Sequence, residues 1–119
     1  MGIDIYVMDV NENGVVYSGY ITKLDNNTDS IEKYMGSKYT VIPLIEDIVI
    51  IVSKNQEKLP VNRVFVRNDK ERIFLRGKII CVRKNGEEIT SIIPNDVCFL
   101  PFSKISCLSL SGISVSMAV

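Results

Sequence analysis

Residues 48–52 read Ile-Val-Ile-Ile-Val, five branched apolar residues with no polar alternation. β-Branched residues favour strands, and a strand that is apolar on both faces belongs at the centre of a sheet with both sides covered. A second apolar stretch, residues 39–45, precedes this run across the short Glu46-Asp47 turn. The two stretches therefore predict the middle of a β-sheet.

Further strands are expected on both sides of this pair. Asn13-Gly14 predicts a hairpin turn near the N-terminus, because both residues tolerate a positive φ. A second hairpin is predicted around the polar loop 68–71. The predicted strands are residues 3–10, 15–24, 39–45, 48–53, 61–67, 72–83 and 88–93, with residues 97–102 as a strand or an irregular turn.

One short helix is expected, over about residues 29–35. Asp29 and Glu32 have the spacing of a capping box, and Gly36 suits the left-handed residue that follows a helix. The pattern as a whole predicts an α+β, mainly β fold. We expect residues 1–119 to form a single domain, built as an antiparallel sheet or a small sandwich or barrel with this helix.

The C-terminal segment, residues 105–119, contains no charged residue and alternates apolar residues with serine. An uncharged strand with an open edge promotes aggregation, so this segment is expected to pair with another strand. Pairing within the domain and pairing across a subunit interface are both open at this point. The second alternative makes the protein a homo-oligomer, which we expect.

Cysteine usage and the lack of an export signal predict a cytoplasmic protein. Cys81, Cys98 and Cys107 form no C-x-x-C pair and the chain has no histidine, so we expect free thiols and no metal site. The N-terminal residues lack the pattern of a signal peptide. The longest apolar stretch, residues 39–52, is interrupted by a proline and two acids, so no membrane-spanning helix is expected.

The chain also lacks the residues that most catalytic sites use. Without histidine there is no Ser-His or Cys-His dyad and no histidine base. No phosphate-binding loop, dinucleotide-binding fingerprint or zinc-protease motif is present. We therefore expect a non-enzymatic protein with no catalytic residues and no cofactor.

Charge is distributed unevenly, although the net charge is zero. Residues 1–53 carry three lysines and eight acids, whereas residues 54–84 carry five lysines, five arginines and three acids. The second segment contains every arginine of the chain. A local basic cluster in a neutral protein indicates a compact anionic partner, and it disfavours long nucleic acid, which needs an extended basic footprint.

The arginines lie on two predicted strands whose side chains alternate between two faces. If residues 61–67 and 72–79 pair, the apolar side chains line one side as core, and the basic and aromatic side chains share the other. Asn62 is added because its amide could bind a sugar or base edge. The predicted ligand-binding residues are Arg63, Arg67, Arg72, Arg76, Phe65, Phe74, Asn62 and Lys78.

Such a face has the chemistry to bind a nucleotide-like anion. Guanidinium groups form paired hydrogen bonds to phosphate oxygens, and a phenylalanine ring beside them can stack a base. Two structural alternatives are open: the arginine stems cover exposed Phe65 and Phe74, or the phenylalanine side faces a second sheet or a neighbouring subunit. An acidic patch on a partner protein would also match the basic face.

The segment Leu59-Pro60-Val61-Asn62-Arg63 resembles the L-P-x-N-R segment of an uncharacterised family of small proteins from phages and mobile elements. In that family the motif also follows a hydrophobic β run, here residues 39–52, and precedes a glycine-containing strand, here residues 76–80. The similarity covers residues 28–93, and the C-terminal segment departs from the family pattern.

This resemblance implies a phage or mobile-element origin, in which small non-enzymatic proteins often act as counter-defence factors. We expect a protein that sequesters a small phosphorylated, nucleotide-derived signalling molecule in the host cytoplasm, similar in strategy to the Thoeris anti-defence proteins. The alternative is a direct protein–protein inhibitor, similar in strategy to anti-CRISPR proteins, that uses the basic face. A structural virion protein is the third possibility. The arginine–phenylalanine face favours the first.

Overall fold

The computed structural model describes residues 2–67 and 71–97, without the side chains of residues 66, 67 and 71. The helices are α1 (Thr28–Met35) and α2 (Pro94–Val97). The strands are β1 (Gly2–Met8), β2 (Tyr20–Asp25), β3 (Tyr39–Ile45), β4 (Ile48–Ser53), β5 (Val61–Arg67), β6 (Glu71–Arg76), β7 (Ile79–Asn85) and β8 (Glu88–Thr90).

Six of these strands form one antiparallel sheet, and the other two form a ribbon. The order across the main sheet is β2-β1-β7-β4-β3, and β8 pairs with β7. The ribbon consists of β5 and β6. The predicted α+β, mainly β class with an antiparallel sheet is confirmed. The four-residue helix α2 was not predicted.

The apolar run that predicted the sheet centre does lie there. β4 pairs with β3 on one side and with β7 on the other, and all six of its residues are buried. Alternate residues of β4 contribute to two separate apolar cores. A strand without polar alternation is stable here because both of its faces are covered.

Those two cores give the domain three layers. On one side of the main sheet the ribbon packs its Phe65 and Leu75 side chains against the strands. On the other side α1 packs Ile31 against the sheet. The ribbon residues predicted to bind a ligand and the helix α1 therefore belong to opposite sides of the molecule.

The helix α1 begins two residues after the polar Asp25-Asn26 pair, and its cap is Asn27 rather than the predicted Asp29. Asn27 has extended backbone, with φ −146°, and its side chain accepts a hydrogen bond from the Ser30 amide at 2.8 Å. Gly36 ends the helix as predicted, with φ 77° and its amide donating to the Glu32 carbonyl at 2.8 Å. Asn and Asp cap equally well, so neighbouring candidates are difficult to separate by sequence.

The predicted continuous strand 72–83 is wrong, because it is divided at Gly77. Gly77 has φ 74°, and a Cβ at this position would lie 2.8 Å from the Leu59 Cδ1. Only glycine adopts this conformation without strain and fits beside Leu59. The turn sends β6 into the ribbon and β7 into the main sheet.

Several predicted features lie outside the described residues: residues 98–102 of the strand or irregular turn predicted over 97–102, the uncharged segment 105–119, and the thiols of Cys98 and Cys107. Cys81 is a free, buried thiol, and burial raises its pKa. Within the described ranges, no helix is long and apolar enough to cross a membrane.

An ion pair attaches α2 to the main sheet. The Arg83 guanidinium on β7 donates two hydrogen bonds to the Asp96 carboxylate, each at 2.7 Å, and the Asp96 side chain is only 7% exposed. The Ile93 amide also donates to this carboxylate, at 3.1 Å. The hydrogen bonds from Arg83 hold the pKa of Asp96 below its usual value, although burial acts in the opposite direction.

We expect the Asp96→Asn variant to have a lower melting temperature than the wild type at neutral pH. The folded-state pKa of Asp96 is lower than its unfolded value, so the pair stabilises the fold above the unfolded pKa and loses this effect as pH falls through the folded pKa. The difference between variant and wild type should therefore decrease in acid. Thermal melts from neutral pH to strong acid measure it. Exposed Glu12→Gln is the control, and a pH-independent difference would contradict the assignment.

Candidate functional site

The ribbon is paired one residue out of the register that the predicted arginine face requires. Arg67 lies opposite Glu71 instead of Arg72, so the connecting turn is one residue shorter than predicted. Opposite residues of antiparallel strands share a face, and a slip of one residue reverses that sharing. The expectation that the basic and aromatic side chains of β5 and β6 lie on one face of the ribbon is therefore wrong. The side chain of Arg67 is outside the described part of the structure.

The two phenylalanines of the ribbon have opposite environments. Phe65 is opposite Ile73, is 0% exposed, and belongs to the core between ribbon and sheet. Phe74 is opposite Val64 and is 63% exposed. One structural alternative to ligand binding was that the phenylalanine side of the ribbon faces a second sheet. This alternative describes Phe65. The two rings cannot stack the same base.

Asn62 and Arg63 are buried in a hydrogen-bond network. The Asn62 Nδ2 donates to the carbonyls of Met8, at 2.9 Å, and Gly77, at 2.7 Å. Its Oδ1 accepts from the Arg63 Nη1 at 2.6 Å, and the Arg63 Nη2 donates to the Tyr17 carbonyl at 2.8 Å. These bonds join the ribbon to β1, to the Gly77 turn and to the loop before β2. The surface role predicted for Arg63 and Asn62 does not fit this burial.

The remaining predicted residues are dispersed. Arg76 is half-buried and its Nη1 donates to the Leu59 carbonyl at 2.9 Å, while Arg72 is exposed. Lys78 follows the Gly77 turn to the opposite side of the sheet, where its Nζ lies 4.2 Å from the centroid of the Tyr34 ring and donates to the Tyr34 carbonyl at 3.2 Å. A ligand-binding role for Arg72 and Arg76 stays a prediction.

An open groove of about 760 Å³ lies elsewhere, between α1 and the β2 end of the main sheet. We call this the α1–β2 groove. Its volume falls within the range of small-molecule sites. The residues that line it are Gly2 of β1, Lys23, Leu24 and Asp25 of β2, and Ser30, Lys33 and Tyr34 of α1.

One lysine of the α1–β2 groove, Lys33, is available to an anion. Lys33 is exposed and forms no ion pair or hydrogen bond within the described part of the chain. The Lys23 Nζ lies 2.7 Å from the Asp4 Oδ1, but both side chains are well exposed. Because Asp4 lies between Ile3 and Ile5, which pack on the α1 side, the Lys23 side chain points to the ribbon side of the sheet and away from Lys33.

Tyr34 adds a fixed aromatic ring with a neutral hydroxyl. Its hydroxyl oxygen lies 3.2 Å from that of Tyr20, and Lys78 lies over the ring. Burial, followed by the hydrogen bond to Tyr20, raises the pKa of Tyr34 to about 12. The phenol is therefore protonated at neutral pH, so it adds no negative charge to a groove that could bind an anion.

A helical spacing connects three residues of this groove, although it was not recognised in the sequence. Ser30, Lys33 and Tyr34 are related as i, i+3 and i+4, so they share one stripe of α1. That stripe could have been found by helical periodicity. Its placement beside β2 depends on how α1 crosses the sheet, which no local pattern contains.

Comparison with known proteins provides no relative for this chain: no family model, curated protein or solved structure matches it. The α1–β2 groove is therefore interpreted from its own residues.

Proposed function

We propose that the protein is a non-enzymatic binding protein that sequesters a small phosphorylated, nucleotide-derived molecule in the α1–β2 groove. The observation that carries this proposal is the exposed ammonium group of Lys33, which has no ion pair or hydrogen bond among the described residues and lies beside Tyr34 in a groove of about 760 Å³. This location replaces the ribbon face, whose Arg63 and Phe65 are buried.

The lining of the groove suits a ligand with several kinds of group. Lys33 is a point charge for a phosphate oxygen, and Ser30 adds a hydroxyl donor. The Tyr34 ring offers an aromatic surface for a base. Asp25 repels phosphate but accepts hydrogen bonds from a sugar hydroxyl or a base amino group. This combination favours a nucleotide-like molecule over a simple inorganic anion.

The biological part of the proposal rests on the resemblance of Leu59–Arg63 to phage and mobile-element proteins. In that setting a protein that binds a nucleotide-derived signal without converting it would act as a counter-defence factor in the host cytoplasm. Sequestration needs only tight binding and abundance, which is consistent with the lack of histidine in the chain.

Thermal shift against a panel of cyclic nucleotides and ADP-ribose derivatives tests the proposal. A ligand that binds only the folded state stabilises it by about 2.7 kcal/mol at a hundredfold excess over Kd, so at least one member of the panel should raise the melting temperature. The Lys33→Glu variant should weaken this binding by about tenfold or more, since a charge-assisted hydrogen bond contributes about 1.5–3 kcal/mol.

Lys54→Glu is the matched control, because Lys54 is also exposed but does not line the groove. Calorimetric titration should give the Lys54→Glu variant the wild-type affinity. Unchanged melting curves across the whole panel, or equal losses in the two variants, would reject the groove as the site.

A direct protein–protein inhibitor is the second candidate, and one observation favours it. Phe74 is 63% exposed on the outer face of the ribbon, on the same strand as exposed Arg72. An aromatic residue beside an arginine is typical of the residues that dominate binding energy in protein interfaces. In an infection assay, Phe74→Ala should remove activity under this candidate, whereas Lys33→Glu should remove it under the first.

A further inference from the structure

A second, smaller pocket of about 250 Å³ lies between the C-terminal end of α1 and the loop that joins β4 to β5. Its lining includes Ser37, Ser53, Lys58 and Lys78, and it has no lining residue in common with the α1–β2 groove. We call it the Ser37–Ser53 pocket. None of the described residues that line it is acidic. Its volume is below the roughly 300–1,000 Å³ of sites for drug-sized ligands, so it suits a small anion.

Two serine hydroxyls lie together in this pocket. Gly36 turns the chain in the left-handed conformation after α1, and the Ser37 Oγ lies 2.9 Å from the Ser53 Oγ. The Ser37 Oγ also lies 3.1 Å from the Lys38 carbonyl, and the Ser53 Oγ lies 3.3 Å from the Asn55 carbonyl. Each hydroxyl has one hydrogen to donate, so two hydrogens serve three contacts. A ligand oxygen can therefore receive a hydroxyl hydrogen at the expense of the longest contact.

Lys78 supplies an ammonium group that is held in place. Its Nζ donates to the Tyr34 carbonyl at 3.2 Å and lies 4.2 Å from the centroid of the Tyr34 ring. The end of a helix where the carbonyls are free favours a cation. An ammonium group has three N–H donors, and this carbonyl uses one of them. Lys78 forms no ion pair with a described residue, so its charge is available to an anion.

Lys58 supplies the second ammonium group from a loop that is attached to β6. The Gln56 Nε2 donates to the carbonyls of Ser53, at 2.9 Å, and Arg76, at 3.0 Å, and its Oε1 accepts from the Arg76 amide at 2.7 Å. Lys58 is exposed and forms no ion pair or hydrogen bond within residues 2–67 and 71–97. Glu57 is exposed and does not line the pocket. A loop fixed before binding loses less entropy when a ligand arrives.

We propose that the Ser37–Ser53 pocket binds a tetrahedral oxyanion, either inorganic phosphate or the phosphoryl group of an organic phosphate. A phosphate group carries a charge of about −1.5 to −2 at neutral pH, which two ammonium groups can offset. The two hydroxyls provide hydrogen bonds to its oxygens. A carboxylate has one charge and two oxygens, so it would use less of the site. This proposal is independent of the function proposed for the α1–β2 groove.

Amide NMR spectra of the nitrogen-15-labelled full chain, titrated with inorganic phosphate at constant ionic strength, test this site. Saturating shifts should follow one binding curve, with a dissociation constant on the order of 1 mM. Acetate should bind at least about fivefold more weakly, because it carries one charge. The amides expected to shift are those of Ser37, Ser53, Lys58 and Lys78. Shifts confined to Ser30 and Lys33 would place phosphate in the α1–β2 groove and reject the pocket.

The Lys58→Met variant should weaken phosphate binding by about fivefold or more, because it removes one of the two charges. Lys58 is chosen over Lys78, since Lys78 also contacts α1 and its loss would affect the fold. Lys54→Met is the matched control: Lys54 is exposed in the same loop and does not line the pocket. This control should keep the wild-type affinity.

Shifts that increase linearly without saturation, or equal losses in Lys58→Met and Lys54→Met, would overturn the proposal, because both results indicate non-specific binding to surface lysines. A parallel titration with glycerol 3-phosphate identifies the source of the oxyanion. An affinity at least equal to that of inorganic phosphate would indicate the phosphoryl group of an organic molecule. Much weaker binding would indicate the free anion. Either result supports the pocket, and a negative nucleotide panel would reject only the function proposed for the groove.

Discussion

The Phe65→Ala variant is expected to lower the free energy of unfolding by about 3–5 kcal/mol, the usual cost of removing a buried phenylalanine ring. Phe65 is 0% exposed and is the largest fully buried side chain of the described residues. It fills the space between the ribbon and the main sheet together with Leu75, Met8 and Ile50. No other aromatic side chain of the ribbon reaches this space. The cavity that the alanine leaves can therefore close only if the ribbon moves.

Phe74→Ala is the matched control for that variant. This variant removes the same atoms from the exposed side of the ribbon. We therefore expect the free energy of unfolding to change by no more than about 0.5 kcal/mol. Urea denaturation followed by circular dichroism gives both values with one protocol. Similar losses at Phe65 and Phe74 would contradict the observed register of the ribbon, because they would require both rings to be buried.

The Asn62→Leu variant is expected to lose about 3–5 kcal/mol of stability, although leucine has a similar size. Asn62 is 0% exposed and its amide group donates to the carbonyls of Met8 and Gly77. Its oxygen is also an acceptor for Arg63. Leaving a buried polar group without its partner costs about 1–3 kcal/mol, and more when the group is charged. The leucine removes hydrogen bonds to three such groups at once.

Asn95→Ala, at an exposed position of α2, provides the comparison and should be close to neutral. Urea denaturation curves for the two asparagine variants use the same protocol as those for the two phenylalanine variants. They distinguish the loss of the Asn62 hydrogen-bond network from a general sensitivity of the fold to substitution. A loss below about 1 kcal/mol for Asn62→Leu would mean that water replaces the amide, and the network would then not attach the ribbon to the sheet.

Two features of the fold followed from local sequence. The apolar run at residues 48–52 predicted a central strand, and β4 is buried between two neighbours. The polar break before residue 29 and the glycine at position 36 predicted α1, which the structure places at Thr28–Met35. Both signals are strong because each depends on the chemistry of consecutive residues, either continuous apolar character or the hydrogen-bonding needs of a helix end.

The candidate site could not be obtained in the same way. The arginine face assumed that β5 and β6 pair across a four-residue loop, and the observed pairing of Arg67 with Glu71 shortens the loop by one residue. The alternation predicted for β6 fits the burial of Leu75 and the exposure of Phe74, but in β5 the predicted open face, with Phe65, is buried, and the relation between the strands was not predicted. A one-residue difference in a turn reverses which rows of side chains share a face.

The sequence by itself determined the class of fold, the central strand and the C-terminal end of α1 at Gly36, because these depend on the polarity and the backbone preferences of neighbouring residues. Only the tertiary structure decided that Asn62, Arg63 and Phe65 are interior residues, and that Lys23 of β2 lines the same groove as Lys33 of α1. The physical reason is that strand register, the turn at Gly77 and the crossing of α1 over the sheet are set by packing among segments distant in the chain. A short sequence pattern contains no information about how such distant segments pack together.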